Sequence, residues 1–427
     1  MNKKYYEGID ETLYHKVLDN GLDVYIVKKE GFANKCAYFA SKFGSFNTGD
    51  ILRVDNKDIP IIGGLAHFLE HRVFDYKKGN VIDLYYKYGA DCNAFTTYDR
   101  TVYYFSCNDN FKECLDLLLD FPTSFTMTEE AVENEKGIIV NELLMYKDDP
   151  DDKLFKGLMS SLYKEHPITM DVGGEVEEVR STTYDLLKLV HSAFYSPNNM
   201  VLVICGDVDV EETIKQVEAK EFNSSEVEII KRDFKEDLNV VMESKIIEDD
   251  VNNEKLLLGY KMKPLDDIEA TKRLKIFISM DMLSSILFSS SSDFYNMMIN
   301  NKYVSSLGID IFDYDGVFAF LVEADLLKGE SIVIDEINKR IADALNIINN
   351  EKLERIKKKE LSQIIMGCDS VSRVARNYLT YVIDGTDFFT LVDVVKEITV
   401  DDLIEAYNNY LKGSNYAYSL LRGKSND

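Results

Sequence analysis

Gly63-Gly64-Leu65-Ala66-His67-Phe68-Leu69-Glu70-His71 places two imidazoles and a carboxylate within five residues, directly after a glycine pair. Only five histidines occur in 427 residues, so two of them in one pentapeptide are read as a unit. In a helix, positions i and i+4 project from the same face one turn apart, so both imidazoles reach one metal ion. Glu70, three residues from the first and next to the second, borders that face. The arrangement suits zinc with a general base beside the metal's water. It reverses the commoner His-Glu-x-x-His order.

Two histidines leave a catalytic zinc one protein ligand short. The run Glu133-Asn134-Glu135-Lys136-Gly137-Ile138-Ile139-Val140-Asn141-Glu142 offers candidates. Glu135 and Glu142 are seven residues apart and share a helix face. Ile138, Ile139 and Leu143 give that helix an apolar side, and a carboxylate beside a buried side is coordinated or paired because unpaired burial is costly. For Glu135 a helix salt bridge to a neighbouring lysine would leave the same sequence trace. For the histidine pair the plain alternative is a surface or core pair with no metal, and for Glu142 an exposed helix carboxylate.

Hydrophobic residues make up 45% and charged residues 29%, the balance of a folded chain. The formal net charge of −26 argues against nucleic acid or an anionic membrane as the main partner. Two lysines near the start are followed by no apolar run, so a secretory signal is not expected. No stretch approaches the roughly 20 apolar residues that span a bilayer. The six cysteines form no Cys-x-x-Cys pair. They read as small buried hydrophobes in a reducing compartment, and a cytoplasmic location is expected. His166 and His191 pair with nothing in the motif and read as structural or solvent-facing. The basic run at 354–360 reads as a solvated helix face, and Ser289–Ser292 as a loop.

The element pattern is α+β, with antiparallel hairpins rather than strict βαβ alternation. A hairpin turns at Asn20-Gly21, a strand follows at 36–43, and the metal helix begins near Gly63-Gly64. A helix at 81–88, strands at 94–97 and 101–106, and helices at 111–121 and 130–146 come next, the last ended by Asp148-Asp149-Pro150. At an offset of 217 residues, Thr182, Asp185, Leu186, Asn198 and Gly206 meet Thr399, Asp402, Leu403, Asn415 and Gly423. Both stretches read as a capped helix, a turn and an apolar strand ending in glycine, the sign of a duplicated unit. The expected division is a metal-bearing domain at 1–225, a linker at 226–250 and a homologous domain at 251–427. No histidine lies beyond His191, so a single metal centre belongs to the first half.

The His67-to-His71 motif followed by Glu135-x6-Glu142 resembles the pitrilysin/insulinase metallopeptidases, whose His-x-x-Glu-His signature is that of the inverzincins. Asn20-Gly21-Leu22, Gly64-Leu65-Ala66, Asn93-Ala94-Phe95-Thr96-Thr97, Phe194-Tyr195-Ser196-Pro197-Asn198-Asn199-Met200 and Gly206-Asp207-Val208 are similar to the family too, and the short bacterial branch is nearest. The resemblance implies two homologous mixed α/β domains, each an antiparallel-rich sheet with packed helices. It implies one zinc per chain held by His67, His71 and Glu142, with Glu70 as the catalytic base that takes a proton from the zinc's water. Glu135 would orient the site. Asn93, Ala94 and Phe95 match the edge strand on which an extended substrate peptide pairs inside a chamber. Active members of the family also use an Arg-x6-Tyr pair from the second unit. No arginine here is followed by tyrosine at that spacing, and 294–307 holds no arginine. The expectation is a zinc endopeptidase subunit completed by a homologous partner that supplies the Arg/Tyr pair, a homodimer being the lesser expectation. The alternative is a catalytically silent structural or peptide-binding subunit of a related heteromeric peptidase.

Overall fold

The computed structural model describes residues 1–225 and 227–424. Its fold is mixed α/β, in two compact units. The first unit takes Met1–Leu144, Met170–Asp233 and Ile365–Phe389; the second takes Met145–Thr169, Phe234–Ile364 and the chain from Thr390 onward. Compactness therefore divides the chain differently from the sequence repeat. The stretch 226–250, read as a linker, carries two strands. Glu228–Ile230 pairs with Ile51–Arg53 in the first unit, and Ser244–Asp249 joins the main sheet of the second.

The main sheet of the first unit holds β1 (Asn2–Tyr6), β2 (Glu11–Val17), β3 (Asp23–Lys28), β4 (Lys35–Ser41), β5 (Ala90–Thr96), β6 (Thr101–Cys107) and β7 (Met200–Gly206). Their order across the sheet is β1-β2-β3-β7-β4-β6-β5. β7 reads MVLVICG and every residue of it is buried, as a central strand covered on both faces requires. β5 lies at the opposite edge from β1, with one side of its backbone unpaired in the sheet.

The second unit's sheet contains β8 (Ser244–Asp249), β9 (Lys255–Lys261), β10 (Val304–Tyr314), β11 (Val317–Leu326) and β12 (Asn415–Gly423), in the order β8-β12-β9-β11-β10. Strand for strand this repeats β3-β7-β4-β6-β5. In each sheet the glycine-ended strand runs parallel to one neighbour and antiparallel to the other, and the last three strands form antiparallel pairs. The offset of 217 residues sets β7 on β12, the topologically equivalent strands.

Two helices supply the candidate site residues, and two more cover the sheets. α1 (Leu65–Val73) carries the histidine pair. α2 (Glu129–Asp148) carries both candidate glutamates. It buries Ile139 and Leu143, but Ile138 is exposed, so the apolar side is narrower than the sequence suggests. Asp148-Asp149-Pro150 ends α2 and also starts α3 (Pro150–Leu162): the Asp149 carboxylate accepts the Asp151 and Asp152 amides, and Pro150 takes the first helical position. α3 packs on β8, β9 and β12 of the second sheet. α4 (Val371–Ile383), from the far half of the chain, packs on β4 and β7 of the first.

His166 and His191 are both buried, which settles them as structural. His166 Nε2 donates to the Asp315 carbonyl at 2.8 Å while Nδ1 accepts the Ile168 amide at 3.0 Å, a pattern only the neutral ring satisfies. His191 Nε2 donates to the Pro122 carbonyl at 2.8 Å and its ring stacks on Tyr195. Burial pushes both imidazoles down to about 4 from 6.5. Between those values the unfolded ring binds a proton and the folded ring does not. The stability is complete above pH 6.5 and is lost as pH falls toward 4. Lowering the pH from 7.5 to 5.5 is expected to remove about 1 kcal/mol per histidine in denaturant melts. A His166→Gln variant should lose its share of that slope. An unchanged slope would mean that the ring carries charge in the fold.

Candidate metal centre

The centre starts from a left-handed glycine. Gly64, just before α1, has φ +79°, and a Cβ there would stand 2.2 Å from the Gly173 carbonyl oxygen. Gly174 (φ +79°) faces it, with its own Cβ position 2.5 Å from the Gly63 carbonyl carbon. Two glycine pairs thus let two backbone segments touch. Glu178 fixes the junction: its carboxylate accepts the amides of Gly63 and Glu175, each at 2.9 Å. From this anchored start α1 points His67 and His71 toward α2.

The rings of His67 and His71 stand edge to face with centroids 4.6 Å apart. Glu142 Oε2 lies 3.4 Å from His71 Nε2 and 3.8 Å from His67 Nε2. Among the described residues these three form the one group of histidine, cysteine or acidic side chains able to share a metal ion, their ligand atoms all within 4.8 Å of one another. Ligands about 2.0–2.1 Å from a tetrahedral ion stand about 3.3 Å apart, so the donors fit a zinc-sized ion with small adjustments.

Glu135 sits behind the group. Its Oε1 takes a hydrogen bond from His71 Nδ1 at 3.1 Å and its Oε2 one from Arg72 at 2.5 Å. The His71 contact, then Arg72, holds the buried carboxyl below its ordinary range, against the effect of burial. The same bond raises the His71 pKa and, in the neutral ring, puts the hydrogen on Nδ1 and leaves the Nε2 lone pair facing Glu142. The neighbouring lysine does not compete for Glu135, because Lys136 pairs with Glu133 at 2.6 Å instead. His67 is held neutral by burial, its pKa lowered to about 4. Its Nδ1 is buried without a hydrogen-bond partner among the described residues and lies against Gly173.

Glu70 stands outside the ligand group. Its Oε2 accepts the Thr96 hydroxyl at 2.9 Å, and burial raises its carboxyl pKa. Thr96 ends the edge strand β5, so the acid and the strand edge are neighbours. Asn93, Ala94 and Phe95 lie on that strand, where the Ala94 amide donates to the adjacent Asn93 side chain at 2.8 Å. Sequence reasoning did not find Gly173-Gly174, Glu178, Arg72 or Thr96. The second glycine doublet was the one visible signal, since it could have been matched to Gly63-Gly64.

Among known proteins, the chain is 34% identical over 401 residues, 93% of its length and 94% of the relative's, to the uncharacterized zinc protease YmfH of Bacillus subtilis. The chain belongs to the insulinase family, peptidase family M16. The M16 insulinase profile covers residues 53–199, which include all of the site, and the M16 inactive-domain profile covers 181–365. Over 82% of its length, and 81% of the relative's, this M16 chain is also 24% identical to zinc protease PqqE of Helicobacter pylori. An M16-like peptidase of Alicyclobacillus acidocaldarius superposes with a TM-score of 0.90 at 28% identity, over 97% of this chain and 99% of that one. A protease of Helicobacter pylori shares the fold, with a TM-score of 0.80 at 22% identity over 96% and 99%.

Changing Glu135 to Gln is expected to keep the fold and to weaken zinc binding by about 10- to 100-fold in chelator competition, because the amide cannot hold His71 as a carboxylate does. Unchanged affinity would reduce Glu135 to a partner of Arg72.

Proposed function

We propose that this chain is a zinc endopeptidase subunit that hydrolyses peptides or unfolded segments. The observation that carries the reading is the convergence of His67, His71 and Glu142 next to an uncoordinated Glu70 at the edge of β5. A zinc ion held by these three residues, one per chain, supplies a lowered pKa to its water and a Lewis acid for the peptide carbonyl. Glu70 accepts the proton of the attacking water and passes it to the departing amine. Thr96 keeps the carboxylate turned toward the strand edge. β5 binds the substrate by strand addition along its open edge at Asn93, Ala94 and Phe95, with the outward backbone groups of Ala94 pairing, which aligns the scissile bond.

The domain at 1–225 carries this chemistry, and the domain from 251 is its metal-free homologue. A homologous chain bearing the Arg-x6-Tyr pair completes the site within a substrate-enclosing dimer in the cytoplasm. The absence of any arginine between Phe294 and Leu307 supports that partner. The test is zinc content together with cleavage of an unfolded peptide, by the chain alone and mixed with such a partner. One zinc per chain, with cleavage lost to a chelator and restored by zinc, is expected. Stoichiometric zinc with no cleavage in any pairing would favour the silent binding subunit.

A further inference from the structure

We propose that Arg376 and Phe95 form a subsite for a carboxylate carried by the bound peptide, which makes acidic peptides the preferred substrates. The inference rests on the strand-addition reading above and adds the chemistry of the side chain that is selected.

The pleat of β5 decides which side chains face the metal. The Thr97 amide bonds inward to the Arg100 carbonyl. Alternation along the strand then turns the backbone groups of Thr96, Ala94 and Cys92 outward, to the open edge. The side chains of these residues share the face on which Thr96 meets Glu70. Asn93 and Phe95 point to the opposite face. A peptide added to this edge alternates in the same way, so every second side chain leaves the metal and comes down beside Phe95.

That face is floored by aromatic rings. Tyr38 and Tyr104 stack at 4.7 Å, and Phe95 leans on Tyr104 at 6.2 Å. From α4 the exposed Arg376 brings its guanidinium 5.5 Å above the Phe95 ring. Arg376 has no carboxylate partner among the described residues. What sets this exposed guanidinium apart is its place, over a ring of the edge strand that would bind substrate. Cross-strand neighbours have Cβ atoms about 5 Å apart, so a glutamate opposite Phe95 can place its carboxylate against that guanidinium. The guanidinium presents a fork of donors to a carboxylate, and the ring beneath it keeps it in place.

The test uses the zinc-loaded Glu70→Gln protein, which binds peptides without cleaving them. The probes are end-blocked peptides carrying one Glu, or its isostere Gln, at each successive position. We expect the Glu peptide to bind about 10-fold more tightly than the Gln peptide at one position. A second Arg376→Gln substitution should abolish that preference, and Arg376→Glu should turn it toward Lys, with zinc content and melting temperature unchanged. Matched peptides with a free C-terminus separate a side-chain carboxylate from the chain end. A preference confined to them, and lost with Arg376, assigns the subsite to the terminal carboxylate. No preference at any position, or one that survives Arg376→Gln, overturns the proposal. If the preference follows Arg376 but the wild-type protein cleaves nothing with any partner, the peptidase reading falls and the subsite stands. Cleavage indifferent to charge does the reverse.

Discussion

Glu70→Gln is expected to lower the turnover number about a thousand-fold while leaving zinc bound at its wild-type stoichiometry. The magnitude follows from the role. General acid–base catalysis contributes roughly 100- to 10,000-fold, and glutamine keeps the shape but can neither take nor return a proton. The metal should stay, because Glu70 lies outside the His67–His71–Glu142 group and its carboxylate accepts the Thr96 hydroxyl instead. Metal analysis and single-turnover hydrolysis on the same sample separate the two effects. A variant that loses zinc along with activity would make Glu70 a ligand. One that keeps activity within tenfold would remove it from the chemistry.

Gly64→Ala should be the most damaging methyl group that can be added near the site. The new Cβ would meet the Gly173 oxygen at 2.2 Å and its carbonyl carbon at 2.8 Å, both backbone atoms, so no rotamer change relieves it. The left-handed φ adds about 1–2 kcal/mol of strain. A total loss on the order of 3–5 kcal/mol is expected, the range of severe single substitutions. Zinc affinity should fall with it, because the same contact sets where α1 begins. Gly89→Ala is the control. Its φ is +69°, but no atom lies within 4 Å of the added Cβ, so it should lose only the strain. If both variants melt alike, the glycine contact does not constrain the helix.

The histidine pair and its glutamate were legible in the sequence because helical spacing is local, and four residues of separation fix one face. Glu142 was legible as one of two equivalent positions, and family resemblance chose between it and Glu135. The structure explains the difference between them: Oε2 of Glu142 faces both imidazole Nε2 atoms, while Glu135 is turned to His71 Nδ1 and Arg72. Arg72 follows the motif directly, yet nothing local says that it will cross to another helix. Thr96 and Glu178 are no more local, since their partners lie 26 and 115 residues away. Ile138 shows the opposite failure. It is apolar at an apolar spacing, but it lies exposed on a helix whose buried stripe is only Val132, Glu135, Ile139, Val140 and Leu143 wide. The duplicated topology was legible from five matched residues because glycine and the helix cap mark fixed points of the chain. The interleaving of the two units was not, since it depends on which sheet face a distant helix finds.

That interleaving bears on how the protein is made. The face of the first sheet carrying Cys36, Tyr38, Ala40, Val201, Val203 and Cys205 is covered by α4. During synthesis the ribosome has delivered all seven strands of that sheet, and the whole metal motif, well before residue 371 emerges. At about 5–20 residues per second the apolar face then waits on the order of ten seconds or more for its cover. A chain halted in that interval would hold the histidines and glutamates of the site on an incomplete support. Full assembly of the metal-bearing unit is therefore tied to completion of the other half, and prematurely ended chains present a greasy sheet face that chaperones and quality-control proteases recognise.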